Sequence, residues 1–413
     1  MPKLRFKDED GKKFAEWECS TIGEKVNEKS SKFNPEKHTD NLKCIELEHL
    51  SQNTGELLGY VDASNSKSIK NKFEAGDVLF GKLRPYLRKY LKAPFAGVCS
   101  TEIWVLKGKE ISNNFLFQFV QTERFITQAN ISSGSKMPRA DWNVVSSAIA
   151  YFPSSPEQTK VANFLTAIDE KITQLTQKYD LLKQYKKGVM QQIFSHSKER
   201  SDCTETYPRG ISQKLRFKDE DGREFPEWEE KSFGEIADIQ RGASPRPITD
   251  KRWFSDKSNI GWVRISDVTK SSKYLNVTDQ YLSSEGIEKS RYVPKGHIIM
   301  SICATIGKPI YTNLDVCIHD GFVVFKNFKA NHEFFYYYLQ LTEDKWYQYG
   351  QLGSQVNLNT AIVSNETIFL PCTKEQTKIA HFLTAIDDKI THAQTQLAAV
   401  KQYKQGLLQQ MFV

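Results

Sequence analysis

No two of the seven cysteines in this 413-residue chain stand in a C-x-x-C pair; Cys19, Cys44, Cys99, Cys203, Cys303, Cys317 and Cys372 are scattered. An odd, dispersed set argues against a disulfide framework and a zinc module, and for a reducing compartment. No stretch approaches the ~18 apolar residues of a membrane span. The opening MPKLRFKDEDGKK lacks the apolar core of a signal peptide. A cytoplasmic protein without a membrane partner is expected. The phosphate loop G-x-x-x-x-G-K-[ST], a G-x-G-x-x-G after a strand and H-E-x-x-H are also missing, and the eight histidines lie singly. His319-Asp320 is suggestive, but its counterpart in the first half of the chain is Thr101-Glu102, so the pair reads as polarity at a strand end. The acidic-x-Lys string Glu229 to Lys231 matches a fragment of a nuclease motif, yet the first copy reads Glu18-Cys19-Ser20. No metal, no cofactor and no catalysis by this chain itself are expected, and a stand-alone nuclease is disfavoured.

What is present suffices for folded domains. Apolar residues make up 39% and aromatics 12%, enough to build cores. The net charge of +7 fits a nucleic-acid partner without requiring one. The chain is a tandem repeat. KLRFKDEDG starts at Lys3 and again at Lys214, each copy running on to a Trp-Glu pair, Trp17-Glu18 and Trp228-Glu229. EQTKVANFLTAIDEKI from Glu157 is answered by EQTKIAHFLTAIDDKI from Glu375, and KQYKKGVMQQIF from Lys183 by KQYKQGLLQQMF from Lys401. The long middles have diverged, with faint anchors: AGDVLFGKL answers KGHIIMSIC, CSTEIWVL answers CIHDGFVV, and SGSKM answers LGSQV. One scaffold used twice to recognise two different things is implied.

The closing segments are periodic. Glu157 to Phe194 contains no proline, and Ser155-Pro156 supplies a helix start. Val161, Leu165, Ile168, Ile172, Leu175, Tyr179, Leu182, Val189 and Ile193 recur at alternating steps of four and three, broken only by Lys186. Ile379, Leu383, Ile386, Ile390, Ala393, Leu397, Val400, Leu407 and Met411 match them, with Lys404 at the break. Such a heptad stripe predicts a coiled coil, and two matched seams in one chain most simply pair with each other. The polar stretch after Phe194 reads as a linker. A parallel pair would need it to run nearly straight back along a whole helix, whereas an antiparallel pair needs almost no reach. Gly188 and Gly406, at matching points, mark either a close backbone approach or a tolerated helix glycine.

The middles read as strand-rich mixed domains. DVLFGKL, IWVLKG, IIMSICATIG and GFVVFKN are short apolar strands. NNFLFQFVQTERFITQ and HEFFYYYLQLTEDKWYQY read as helices whose aromatics belong to the core. Basic residues cluster in GKLRPYLRKYLK, with Lys82, Arg84, Arg88 and Lys89, and in QRGASPRPITDKRW, with Arg241, Arg246 and Arg252, followed by Arg264. Lys136, Arg139 and Gln355 lie in or beside the SGSKM and LGSQV anchors. Taken singly, each is most simply solvated surface; as clusters they are candidate DNA contacts, because arginine on a loop reaches phosphates or base edges.

Two variable domains, each closed by EQTKxAxFLTAIDxKI and KQYKxGxxQQxF, resemble the specificity (HsdS) subunit of type I restriction–modification systems. VLFGKLRPYL, CSTEIWVL, GWVRISDV and ICATIGKPI are also typical of that family's target-recognition domains. The resemblance implies an α+β fold with two pseudo-two-fold-related target-recognition domains, at 1–154 and 213–371. An antiparallel coiled coil of two long helices, at 155–196 and 372–413, would separate them, with a linker at 197–212. Each domain would read one half of a bipartite asymmetric site on double-stranded DNA. The helices would recruit two methylation subunits, which bind S-adenosylmethionine, and restriction subunits using ATP and Mg²⁺ would join them. The other reading is a coiled-coil adaptor whose two globular domains bind proteins; steep salt dependence would separate DNA binding from apolar protein contacts.

If helix length sets the gap between half-sites, one heptad inserted into both helices keeps the seam and adds ~10 Å. The recognised spacer should lengthen by a few base pairs with both half-sites unchanged. Sequencing the methylated positions checks this, and an active variant with an unaltered spacer refutes the ruler.

Overall fold

The structure is a computed structural model describing residues 2–37, 41–131, 137–194, 215–349 and 358–412. The linker, Lys136 and Gln355 lie outside the described residues. The chain divides into two compact units, Met1–Gln177 with Ala393–Val413, and Lys178–His392. Among the described residues no helix is long and apolar enough to cross a membrane.

In the first unit the apolar run before Lys82 becomes the strand Val78–Gly81, central in a four-stranded sheet ordered Val26–Asn27, Ile103–Gly108, Val78–Gly81 and Tyr90–Lys92. Val78, Leu79 and Phe80 are all fully buried. That is why this strand reads as a continuous apolar run rather than an alternating one. A five-stranded sheet, Lys32–Phe33, Lys70–Phe73, Gly97–Ser100, Lys43–Ile45 and Val61–Asp62, carries the second apolar face. The segment NNFLFQFVQTERFITQ forms two helices, Asn113–Phe119 and Glu123–Asn130, capped by the side chains of Ser112 and Thr122. Phe115, Phe119 and Phe125 are buried in the core, as their sequence pattern implied.

The second unit repeats this plan. Ile298–Ser301 and Phe322–Lys326 are central in a five-stranded sheet, and Gly261–Val263 lies parallel to Val316–Ile318 in a four-stranded one. Asn331 caps the helix His332–Leu341, whose Phe334, Phe335, Tyr336 and Tyr337 are buried.

The closing segments are the helices Ser155–Phe194 and Thr373–Met411, of 40 and 39 residues. Each unit holds the first half of one and the last half of the other, and in both units the halves run antiparallel. In the first unit Val161 and Leu165 share a core with Leu407, Met411 and Phe412, and Leu175 and Ala393 are buried. In the second, Ile379, Leu383 and Ile386 share a core with Val189, Met190 and Ile193. Ile168, Ile172, Leu182, Ile390, Leu397 and Val400 are half-buried on the same stripes.

The two lysines that interrupt the seams are buried within them. Lys404 Nζ lies 2.5 Å from Asp169 Oδ1 and donates to Gln121 Oε1 at 2.6 Å. Lys186 Nζ lies 2.6 Å from Asp387 Oδ1 and donates to Gln340 Oε1 at 2.8 Å. Burial pushes both ammonium pKa values down, and the aspartates oppose that shift. The matched glycines are not sites of close approach: a Cβ added at Gly188 or Gly406 meets nothing within 4 Å. They are tolerated helix glycines.

The repeated opening tags explain themselves here. In the first unit Glu157, fully buried at the start of its helix, accepts from Arg5 Nε at 3.1 Å, Arg5 Nη2 at 2.7 Å and Trp17 Nε1 at 3.0 Å. In the second, Glu375 accepts from Arg216 Nε at 3.0 Å, Nη2 at 3.2 Å and Trp228 Nε1 at 3.0 Å. The next residue docks the aromatic helix: Gln158 Oε1 accepts from Ser112 N, and Gln376 Oε1 from Asn331 N. Each tag also closes on the end of the other long helix, through Leu4 N to Gln410 O and Leu215 N to Gln192 O. Gly11 and Gly222 turn the tags at φ of +78° and +80°, where glycine is favoured.

Removing one partner of a buried ion pair leaves the other uncompensated. Glu157→Ala should destabilise the first unit by about 3 kcal/mol, the lower end for such a loss because Arg5 keeps partial access to water. Denaturant unfolding of the full chain checks this; an unchanged midpoint would show that the tag does not hold the helix.

Candidate nucleic-acid interface

Backbone pairing in the first unit gathers part of the basic cluster. Lys82 N donates to Glu102 O at 2.9 Å, Ala140 N to Lys82 O at 2.8 Å, and Arg84 N to Pro138 O at 2.8 Å. Leu83 bridges Arg139. The end of the central strand, the turn at Thr101-Glu102 and the segment 137–140 therefore lie side by side. Lys82, Arg84 and Arg139 come together there. Arg84 and Arg88 flank the turn Pro85–Leu87 with φ of 52° and 50°, the left-handed region that non-glycine residues enter at a cost. Pro85 is buried while Tyr86 is exposed. Arg139 Nε donates to Glu102 Oε2 at 3.0 Å. Arg88 and Lys89 are tied elsewhere: Arg88 to Glu123 at 2.7 Å, and Lys89 Nζ to the Leu47 carbonyl at 2.5 Å.

In the second unit the hub is the turn His319–Gly321, which follows the strand Val316–Ile318. Asp320 accepts from Ser244 Oγ at 2.9 Å through Oδ1 and from Arg246 Nη2 at 3.1 Å through Oδ2; its carbonyl accepts from Arg241 Nε at 2.8 Å. Burial works against ionisation of Asp320, but the Ser244 hydroxyl and neighbouring charges outweigh it and hold the carboxyl below its ordinary range. Gly242 is required by proximity, since a Cβ there would sit 2.0 Å from the His319 carbonyl. Arg291, which the sequence reading did not single out, donates from Nε to the Arg241 carbonyl at 3.2 Å. Arg264 gives two hydrogen bonds to Gln280 Oε1, at 3.1 and 2.9 Å, beside the Trp262 ring. Arg252 stands apart, paired with Asp250 at 3.1 Å and 4.1 Å over the Trp253 ring. His319 packs against Phe322, and burial pushes its pKa down. Its Nδ1 accepts from Gly321 N at 2.8 Å and lies 3.7 Å from Asp320, so the pair is not arranged as a general base with its orienting acid.

Both hubs thus present arginines from loops around a carboxylate turn, an arrangement suited to phosphates and base edges rather than to bond-making chemistry. Residues 15–184 and 226–402 match the sequence model of the family described as the type I restriction modification DNA specificity domain. The chain belongs to this family. Its role is DNA sequence recognition for type I restriction–modification. The specificity chain is 31% identical over 116 residues to the type I restriction enzyme EcoDI specificity subunit of Escherichia coli, an overlap covering 27% of this chain and 26% of that one. It is 23% identical over 319 residues to the type I restriction enzyme MjaVIII specificity subunit of Methanocaldococcus jannaschii, covering 73% and 70%. The specificity chain is also similar to a structure solved to explain complex assembly and conformational transition of the type I R-M system. That likeness has a TM-score of 0.60 at 18% identity and covers 95% of this chain and 96% of that one. The S subunit of a type I system from M. genitalium matches with a TM-score of 0.58 at 14% identity, covering 100% and 99%. At these identities the structural likeness concerns the fold.

Arg241, Arg246 and Arg252 all belong to one unit. Replacing the three together by alanine should change or abolish reading of one half-site and spare the other. Methylated-site sequencing distinguishes the outcomes; loss of both half-sites in a variant that melts like the wild type contradicts modular reading.

Proposed function

We propose that this chain directs a type I restriction–modification complex to a bipartite asymmetric DNA site, one half read by the domain at 1–154 and the other by the domain at 213–371. The observation that carries this reading is that one frame occurs twice with its scaffold contacts matched residue for residue, while the arginine-bearing loops around the hub turns differ. A scaffold kept and loops changed is what two half-sites of different sequence require. The helices at 155–196 and 372–413, joined by the linker at 197–212, recruit two methylation subunits and through them the restriction subunits. On this reading catalysis is left to the partners: S-adenosylmethionine belongs to the methylation subunits, ATP and Mg²⁺ to the restriction subunits, and the assembly works in the cytoplasm. Family membership does not favour the adaptor alternative.

The test is binding of double-stranded DNA by the full chain purified with its methylation subunit. Taking about two neutralised phosphates per unit, the association constant should fall on the order of 100-fold between 50 and 200 mM salt, through counterion release. An affinity insensitive to salt contradicts the reading and favours the adaptor.

A further inference from the structure

The turns Thr101-Glu102 and His319-Asp320 occupy matched positions, and each carries a carboxylate that grips an arginine arriving from a distant segment. Glu102 takes Arg139 Nε at 3.0 Å, and Asp320 takes Arg246 Nη2 at 3.1 Å. The arginine side chains are 56% and 76% exposed. Pairs this open to water contribute little to folding, so stability does not explain why both units hold one. A carboxylate that takes one N–H of a guanidinium narrows the rotamers it would otherwise sample and leaves its other N–H groups for a ligand. Among the described residues the terminal nitrogens of Arg139 have no other partner. A planar fork with two outward N–H groups matches the O6 and N7 acceptors that guanine alone presents together in the major groove.

We propose that Glu102 and Asp320 are positioning residues, each orienting an arginine, Arg139 in the first unit and Arg246 in the second, to read a guanine in its half-site. The proposal rests on the specificity reading above and adds the base and the residues. The carboxylates act through the arginines, so they set which base is preferred more than how tightly DNA is held.

The full chain purified with its methylation subunit is used to select sites from a randomised duplex library, alongside Arg139→Ala, Glu102→Gln, Arg246→Ala and Asp320→Asn. Each half-site of the wild type should contain a fixed G·C pair. Arg139→Ala should erase the preference at one such pair in one half-site, and Arg246→Ala at one in the other. Glu102→Gln and Asp320→Asn should weaken the same preferences, with melting temperature and the opposite half-site unchanged. Replacing the assigned guanine by 7-deazaguanine, which lacks N7, should weaken wild-type binding by roughly 5- to 150-fold and leave the corresponding arginine variant unaffected. A half-site without a fixed G·C pair overturns the proposal. So does a loss spread evenly over all positions, which marks a phosphate contact, or an unchanged preference in the carboxylate variants. Failure of the wild type to select any sequence overturns the specificity reading itself.

Discussion

Each unit is organised by one fully buried carboxylate at the start of a long helix. Glu157 and Glu375 have no access to water and are held by an arginine and a tryptophan N–H from the preceding tag. A buried anion without partners is strongly disfavoured, so the helix start can be buried only where the tag is in place. The tag is not a domain in its own right. It is the donor set for a helix 140 or more residues later, and it also closes on the end of the opposing helix. A chain with two such helices needs two such tags, which is why it begins twice.

Orientation of the long helices is set by a second buried polar group. Lys186 and Lys404 occupy seam positions where hydrophobes are otherwise the rule, and burial lowers both of their pKa values. A polar residue at such a position costs stability but selects register. Lys186 meets Asp387 and Lys404 meets Asp169, so each helix supplies the lysine for the other's aspartate. In a parallel, in-register pairing the two lysines would face each other, as would the aspartates. That alternative is penalised by like charge as well as by the missing partners.

Much of this frame was legible in the sequence because it is written in local pattern. The heptad stripe, the uninterrupted strand runs and the aromatic helix faces each follow from periodicity over a few turns, and the tags are plain as repeats. What stayed hidden depends on pairings across long separations. Lys186 and Lys404 looked like breaks because their aspartates are supplied by the other helix. Arg88 and Lys89 looked equivalent to Arg84 until Glu123 and the Leu47 carbonyl, both remote in sequence, claimed them. Arg291 lay outside any basic cluster; sheet pairing sets it opposite Ile318, and its side chain crosses to the Arg241 carbonyl on a strand of the other sheet. The hub carboxylates were visible as answering residues and Arg139 and Arg246 as candidates, but not that the one holds the other.

The two units also show how far such a frame can be altered. In the first, Lys92 on the strand Tyr90–Lys92 donates to Asn114 at the start of the aromatic helix. In the second, Tyr311 takes the strand position and Glu333 the helix position, and the ammonium comes from an added segment. The strand Tyr274–Leu275 pairs in parallel with Pro309–Thr312 and places Lys273 on Glu333, within 6 Å of four tyrosine rings. The same acceptor position is satisfied from a different element. Here it is the ammonium of Lys273, 14% exposed, that needs an acceptor, and Glu333 supplies it from the helix. The Glu157 and Glu375 networks draw on the tag, the helix start and the tryptophan alone, none of which lies in the loops around the hub turns. Loop substitutions can therefore change the presented arginines without leaving either buried carboxylate unpaired, which is the physical condition for specificity to diverge on a constant frame.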